Sequence, residues 1–299
     1  MPEPERTIVD VLAASDHATM SFEFFPPKDD AGQAQLLEAI GGLEPLHPDF
    51  VSVTYGASGS TRARTLDATR LIGTKTSAIT MGHLTCASQS VAELEDAVAA
   101  YAEAGVRHIL AVRGDPQGGP TAPWQRHPEG LDHAAELVRL VRESGDFCVG
   151  VGAFPDGHPE HFDLDLDARV LAEKEQAGAG FAITQLFFDA DAYFRLVERI
   201  DRLGCRLPVI AGIMPVTNVG QIERFATLSG AELPAPTVGR LRAVADDPSA
   251  VRAVGLEIAT ELCERLLAGG APGLHFFTQN RSKATAEILA ALRAVPPRP

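Results

Sequence analysis

Residues 21–27 read Ser21-Phe22-Glu23-Phe24-Phe25-Pro26-Pro27, one carboxylate set among aromatic side chains and closed by two prolines. Side chains alternate across a β-strand, so Ser21, Glu23 and Phe25 share one face and Phe22 and Phe24 the other. Glu23 is therefore expected to be enclosed. Enclosure disfavours the charged form of a carboxyl group, which lets it keep a proton near neutral pH and hand it to a substrate. Proline cannot donate to a sheet ladder, so Pro26-Pro27 stop the strand and leave Glu23 near its C-terminal end. The alternative for this residue is a structural glutamate paired with an internal Lys or Arg.

Seven further β-patterned runs follow: 50–54, 77–84, 108–112, 148–153, 181–185, 208–212 and 274–277. Helical periods lie between them. Val91, Leu94, Val98 and Tyr101 recur at helical spacing, as do Tyr193, Leu196, Val197, Ile200 and Leu203, and such stripes pack against a sheet. Eight strand-helix units without a compositional break predict an α/β protein built as a closed parallel (β/α)₈ TIM barrel, one domain over residues 1–299. Helical patterns over 221–228, 237–245 and 249–268 are read as extra helices between strands seven and eight. A doubly wound open sheet is the rival. Its dinucleotide fingerprint is missing from the first unit, and Gly150 with Gly152 supplies only Gly-x-Gly. The stretch from Gly114 to Gly130, rich in glycine and proline, is the candidate mobile loop.

Barrel enzymes take their reactive side chains from the C-terminal ends of several strands. Here those ends carry Glu23, Thr54, His83, Arg113 with Asp115, and Gln185. Each has a bland reading alone: Thr54 as a helix cap, His83 as a satisfied core histidine, Arg113 with Asp115 as a local ion pair. Gathered at one mouth they suit a ligand site. Arg113, His83 and Lys174 supply donors and cations for an anionic cofactor such as a diphosphate-bridged dinucleotide. Asp115 can stabilise a developing cation, and Glu23 can supply a proton. That set fits redox or group transfer on a nitrogen heterocycle better than peptide or ester hydrolysis, and Gly-x-Ser-x-Gly is absent. His158-Pro159-Glu160-His161 with Asp163, Asp165 and Asp167 invites a metal reading. With no second ligand cluster, the acidic residues read better as a helix N-terminus.

Composition bounds the rest. The 299 residues are 45% hydrophobic, enough for a real core, and carry a net charge of −14. That charge disfavours nucleic acid and anionic membranes as partners while leaving room for a small anion held by local cations. No run of about 18 uncharged apolar residues occurs, and residues 1–17 are too charged for a signal peptide, so a cytoplasmic protein is expected. Four widely spaced cysteines, Cys86, Cys148, Cys205 and Cys263, read as small buried hydrophobes. Oligomeric state, including a homo-oligomer, stays open.

The motifs in order are SFEFFPPK from Ser21, VSVTYG from Val51, GHLTC from Gly82, ILAVRGDP from Ile109, HPE from His158, AITQLFFD from Ala182, GIMPVTN from Gly212 and PGLHFFTQNR from Pro272. In these the chain resembles the methylenetetrahydrofolate reductase family, over nearly its whole length. The resemblance implies a (β/α)₈ barrel, FAD as prosthetic group, NADH or NADPH as electron donor, and reduction of 5,10-methylenetetrahydrofolate to 5-methyltetrahydrofolate in a ping-pong cycle. It assigns Glu23 as the general acid that opens the folate five-membered ring to an iminium ion, and Asp115 as the carboxylate that stabilises it. Gln185 matches a pterin contact, Phe225 an aromatic that stacks on nicotinamide or folate, and Arg281 a residue near the glutamate tail. Thr54, His83, Arg113, Gly114, Asp115, His133, Ala134, Phe154, His158, Asp167 and Lys174 fall at flavin-adjoining positions. Two of these depart from the family pattern: His133 and Phe154 stand where many members carry tyrosine. Direct hydride transfer from NADH without flavin, and a non-catalytic folate-binding barrel, are the alternatives. A barrel lyase or pterin-condensing transferase would share the strand-end groups but need no nicotinamide. Eukaryotic relatives carry an added regulatory domain, and control by S-adenosylmethionine is not expected for a chain ending at Pro299.

Overall fold

The computed structural model describes residues 6–14, 17–55, 59–116, 118–119 and 122–294. Its eight strands are β1 (Thr19–Phe24), β2 (Phe50–Val53), β3 (Ile79–Thr85), β4 (His108–Val112), β5 (Cys148–Ala153), β6 (Phe181–Thr184), β7 (Val209–Ile213) and β8 (Gly273–Phe277). They pair in parallel in chain order, and β8 returns to β1 with Thr19 opposite Gly273 and Glu23 opposite Phe277, so the barrel is closed. The helices are α1 (Ile8–Ala14), α2 (Asp30–Leu43), α3 (Gly59–Gly73), α4 (Val91–Glu103), α5 (Ala134–Glu143), α6 (Leu164–Gln176), α7 (Ala190–Arg202), α8 (Val219–Ser229), α9 (Ala235–Arg242), α10 (Pro248–Ala268) and α11 (Lys283–Ala294). The expected strands are all present within two residues at each end, and α8 to α10 are the extra helices between β7 and β8.

Alternation along each strand makes two cores. Phe22 and Phe24 face outward with Phe276, Val51 and Val53 against Leu36, Ile40 and Leu43 of α2. Inward-facing Phe50, Met81, Leu110, Phe181, Ile183 and Ile210 fill the barrel floor together with Ile8. Ile8 belongs to α1, a short helix the sequence pattern did not announce. Thr7 starts that helix through a reciprocal cap, its backbone N donating to Asp10 at 2.9 Å and the Asp10 backbone N donating to its hydroxyl at 3.1 Å. The Ile8 backbone N donates to His108 Nε2 at 3.4 Å, which ties α1 to β4. α6 begins where the acidic run predicted, with the Asp163 side chain accepting from Asp165 N and Leu166 N.

Glycines inside the barrel make room for neighbours. A Cβ on Gly212 would lie 2.3 Å from the Thr184 carbonyl oxygen and 2.8 Å from the Phe277 ring. The first is backbone and cannot step aside. Gly212→Ala is therefore expected to lose about 2 kcal/mol or more of stability by overpacking, measured as a lowered midpoint in urea unfolding with an unchanged slope.

No described helix is long and apolar enough to cross a membrane. Cys86, Cys205 and Cys263 are buried, as anticipated, whereas Cys148 is half-buried.

Candidate active site

Because all eight strands run the same way, their C-terminal ends meet at one rim. That places Glu23, Thr54, His83, Arg113, Gly114, Asp115, Phe154 and Gln185, expected from the sequence, on a single face of the barrel.

Glu23 is the most enclosed carboxylate of the rim, 8% exposed. Its backbone carbonyl accepts from Thr278 Oγ1 at 2.6 Å and Thr278 N at 3.3 Å, which fixes the end of β1 to the turn after β8. Its Oε2 lies 3.7 Å from His83 Nε2 and 3.7 Å from His275 Nε2. No internal lysine or arginine pairs with it among the described residues, so the structural alternative for Glu23 is not realised. Beneath it the Ser21 hydroxyl donates to the Leu274 carbonyl at 3.2 Å and lies 2.8 Å from His275 Nδ1. On the other side of the ring, His275 Nε2 lies 3.3 Å from Ser52 Oγ, beneath Glu23. His275 and Ser52, absent from the sequence reading, complete a polar layer directly under the acid. Period two counted back from Glu23 reaches Ser21, but the register that brings His275 and Ser52 alongside is long-range information.

His83 departs from its expected role as a cation. Burial pushes its imidazole down to about 4, Glu23 opposing, so it stands neutral, and its Nε2 is buried without a hydrogen-bond partner among the described residues. Lys174, on α6, is also more enclosed than a surface grip requires. It donates from Nζ to the Gly152 carbonyl at 2.8 Å, and burial lowers it to about 8 despite Asp167. Arg113 does not form the local ion pair with Asp115. Its Nη1 meets Glu160 Oε2 at 2.7 Å and its guanidinium lies over Trp124, 4.6 Å from the ring centroid. Asp115 keeps an exposed edge, and desolvation raises its carboxyl while Arg113 works the other way.

The remaining expected residues are less central. Asp167 is buried and accepts the His158 backbone N at 2.9 Å. The His158 ring meets Phe154 edge-on at 4.7 Å and stacks on His161 at 5.5 Å. Thr54 is half-buried, its carbonyl accepting from Thr65 Oγ1 at 3.2 Å. Gln185 folds back so that its Oε1 accepts from Leu186 N at 2.9 Å. His133 is exposed at the start of α5, its backbone N donating to Glu136 at 2.8 Å, and Ala134 is buried behind it. Phe225 on α8 packs against Ile222, Val216 and Leu186 in a satellite core. Arg281 is exposed, after a turn in which Gln279 and Asn280 adopt φ of 53° and 55°. Asn280 clamps the Phe25 backbone, accepting from its N at 2.8 Å and donating to its O at 2.9 Å.

The Gly114–Gly130 segment, expected to be mobile, is fastened where it is described. Trp124 Nε1 donates to Asp132 at 3.0 Å and Arg126 grips the Gly130 carbonyl at 3.1 Å. Residues 117, 120 and 121 of that segment lie outside the described residues.

A parallel barrel with an enclosed acid and a donor-lined rim defines a TIM-barrel protein with an enzyme-like mouth. The chain belongs to the methylenetetrahydrofolate reductase family, whose model matches residues 8–293. It is 37% identical to the 5,10-methylenetetrahydrofolate reductase of Pectobacterium carotovorum over 93% of this chain and 91% of that one. It is 34% identical to methylenetetrahydrofolate reductase (NADH) 1 of Arabidopsis thaliana, where it spans 48% of the plant protein. In fold alone it is similar, with a TM-score of 0.64 and 12% identity over 96% and 98% of the two chains, to a Clostridium thermocellum protein that binds two copies of 5-methyl-5,6,7,8-tetrahydrofolic acid.

Proposed function

We propose that this protein reduces 5,10-methylenetetrahydrofolate to 5-methyltetrahydrofolate with electrons from NADH or NADPH, Glu23 acting as the proton donor. The observation that carries the reading is an enclosed Glu23, with no lysine or arginine paired to it among the described residues, at the mouth of a barrel of this family. Proton donation to the folate nitrogen opens the five-membered ring and leaves an iminium carbon ready for hydride. Thr278, donating to the Glu23 backbone carbonyl, holds that end of β1 in place for the transfer. Asp115 at the rim is suited to face the cation once formed. Gln185 and Phe225 are the proposed pterin and nicotinamide contacts, and exposed Arg281 suits the carboxylates of a glutamate tail by forked hydrogen bonding.

The donor set fits a flavin dinucleotide. Arg113, His158 and Lys174 act electrostatically on one another, so they share one neighbourhood. His83 Nε2 and Thr85 Oγ1 are buried polar atoms without partners among the described residues, and Gly114, with φ of 81°, turns where a Cβ would strike Thr85. Thr54, His83, Arg113, Gly114, Asp115, His133, Ala134, Phe154, His158, Asp167 and Lys174 are the residues proposed to hold FAD. When bound, FAD supplies hydride relay between nicotinamide and folate.

A second reading is direct hydride transfer from NADH, favoured by Phe154, whose ring packs on His158 with no hydroxyl to offer, and by exposed His133. Absorbance separates the two. Purified protein is expected to show a flavin band, and mixing it anaerobically with NADH and methylenetetrahydrofolate is expected to consume both. A colourless, active preparation assigns the direct route, and no oxidation of either NADH or NADPH on mixing with methylenetetrahydrofolate rejects the reductase reading.

A further inference from the structure

The rim cation Arg113 is already occupied by the protein itself. Glu160, in the loop after β5, takes its Nη1 at 2.7 Å, and the Arg113 Cζ lies over the ring of Trp124, in the segment after β4, at 4.6 Å from the centroid. The two loops meet only through long-range contacts, Glu160 standing 47 positions from Arg113. Both partners are anchored in turn: Trp124 Nε1 donates to Asp132 at 3.0 Å, and the Glu160 backbone N donates to His158 Nδ1 at 3.2 Å. The other cation of the neighbourhood, Lys174, is engaged by the Gly152 carbonyl and offset by Asp167. Closed in this way, the cluster has little positive charge to spare. A nucleotide phosphate entering a chain of net charge −14 meets general repulsion as well.

We infer that Glu160 is an affinity-setting residue of the nucleotide site, a carboxylate that occupies Arg113 in place of a nucleotide phosphate and must be displaced when one binds. This rests on the reading of Arg113 as a nucleotide contact. Carboxylate and phosphate both suit the planar fork of a guanidinium, so the two compete for the same donors. Trp124 need not leave, because its ring contact is with Arg113 Cζ and is separate from the Nη1 that Glu160 holds. Glu160 is half-exposed, so release into water carries a small penalty, and its departure returns one full positive charge to the rim.

Trp124 is the chain's one tryptophan, so its fluorescence reports on the contact without interference. The experiment titrates the full chain, verified nucleotide-free by absorbance, with ADP and with adenosine, in wild type, Glu160→Gln and Arg113→Gln. Calorimetry supplies the same affinities independently of the fluorophore. Glu160→Gln keeps the shape and removes the charge. It is expected to bind ADP about fivefold tighter, the scale of one partly exposed ion pair removed from the competing state, with adenosine affinity unchanged. Arg113→Gln is expected to weaken ADP and spare adenosine. Equal or weaker ADP binding by Glu160→Gln, with Arg113→Gln still impaired, overturns the role of Glu160 and leaves the site reading standing. If ADP fails to bind wild type, or Arg113→Gln binds it normally, the nucleotide reading of Arg113 fails and the inference goes with it.

Discussion

Glu23→Gln is expected to lower kcat by about 10²–10⁴-fold, the range for removing a positioned general acid, while binding of nicotinamide and folate stays near wild type. Glutamine has the shape of a protonated glutamate but cannot give up its proton. The Thr278 bonds are to the Glu23 backbone carbonyl, so they survive the exchange, and the side chain remains in the layer with His83 and His275. Any loss is then chemical and not a loss of fold. Steady-state kinetics with methylenetetrahydrofolate, together with NADH oxidation by an artificial acceptor that needs no proton from Glu23, separates the two: the first collapses and the second persists. Undiminished methylenetetrahydrofolate turnover in this variant would remove Glu23 from the mechanism.

Acid is expected to destabilise the fold steeply between pH 6.5 and pH 4. Burial pushes both His83 and His108 down to about 4, against 6.5 for a free imidazole. Across that window the unfolded chain takes up protons that these folded imidazoles refuse, so stability falls as pH falls, by at most about 3 kcal/mol for each group. His158, lowered to about 4 by burial and by Arg113, adds in the same direction. Asp156 opposes them. Burial raises its carboxyl to about 6 from 3.8, so the folded state binds its proton first and gains as pH drops. Asp115 and Asp167, also raised by burial, oppose the imidazoles in the same way, whereas Glu160, held low by its hydrogen bond to Arg113, loses stability with them as acid is added. The three imidazoles set the balance, and a net loss of even a few kcal/mol is a large part of an ordinary domain's stability. His108 gives the effect a location, because its Nε2 accepts the Ile8 backbone N and a protonated ring cannot. Acid should therefore loosen α1 from the barrel floor. Thermal melts across the window test this, and His108→Gln, which keeps an acceptor but takes up no proton, is expected to flatten the dependence. A melting temperature constant from pH 7 to pH 4 contradicts it.

The barrel was legible because its strands are short apolar runs bounded by breakers and its helices carry clear stripes. Where strand ends moved, as from 77–84 to Ile79–Thr85, only ladder bonds decide the limit. α1 escaped because seven residues with two buried positions, Ile8 and Val11, make no periodic signal. Its partners are Phe50, Met81 and Phe181, remote in sequence. The rim was legible by the same rule that located Glu23, since parallel closure collects strand ends automatically. Pairing was not. Sequence proximity suggested Asp115 for Arg113, but the guanidinium found Glu160 across a loop, and charge alone made His83 a cation where burial makes it neutral. His275 shows the limit most plainly, for a strand residue two positions below the rim becomes important only when register sets it beside Ser21 and Glu23.

The pairing of β8 with β1 has a consequence for synthesis. Thr278 reaches back 255 positions to fasten the Glu23 carbonyl, and Asn280 does the same for Phe25. As the chain leaves the ribosome, the segment carrying the acid emerges early and waits with its last ladder edge open until the final strand arrives. Completion of this mouth therefore depends on contacts distant in sequence, and until they form the β1 edge that β8 will cover has no ladder partner.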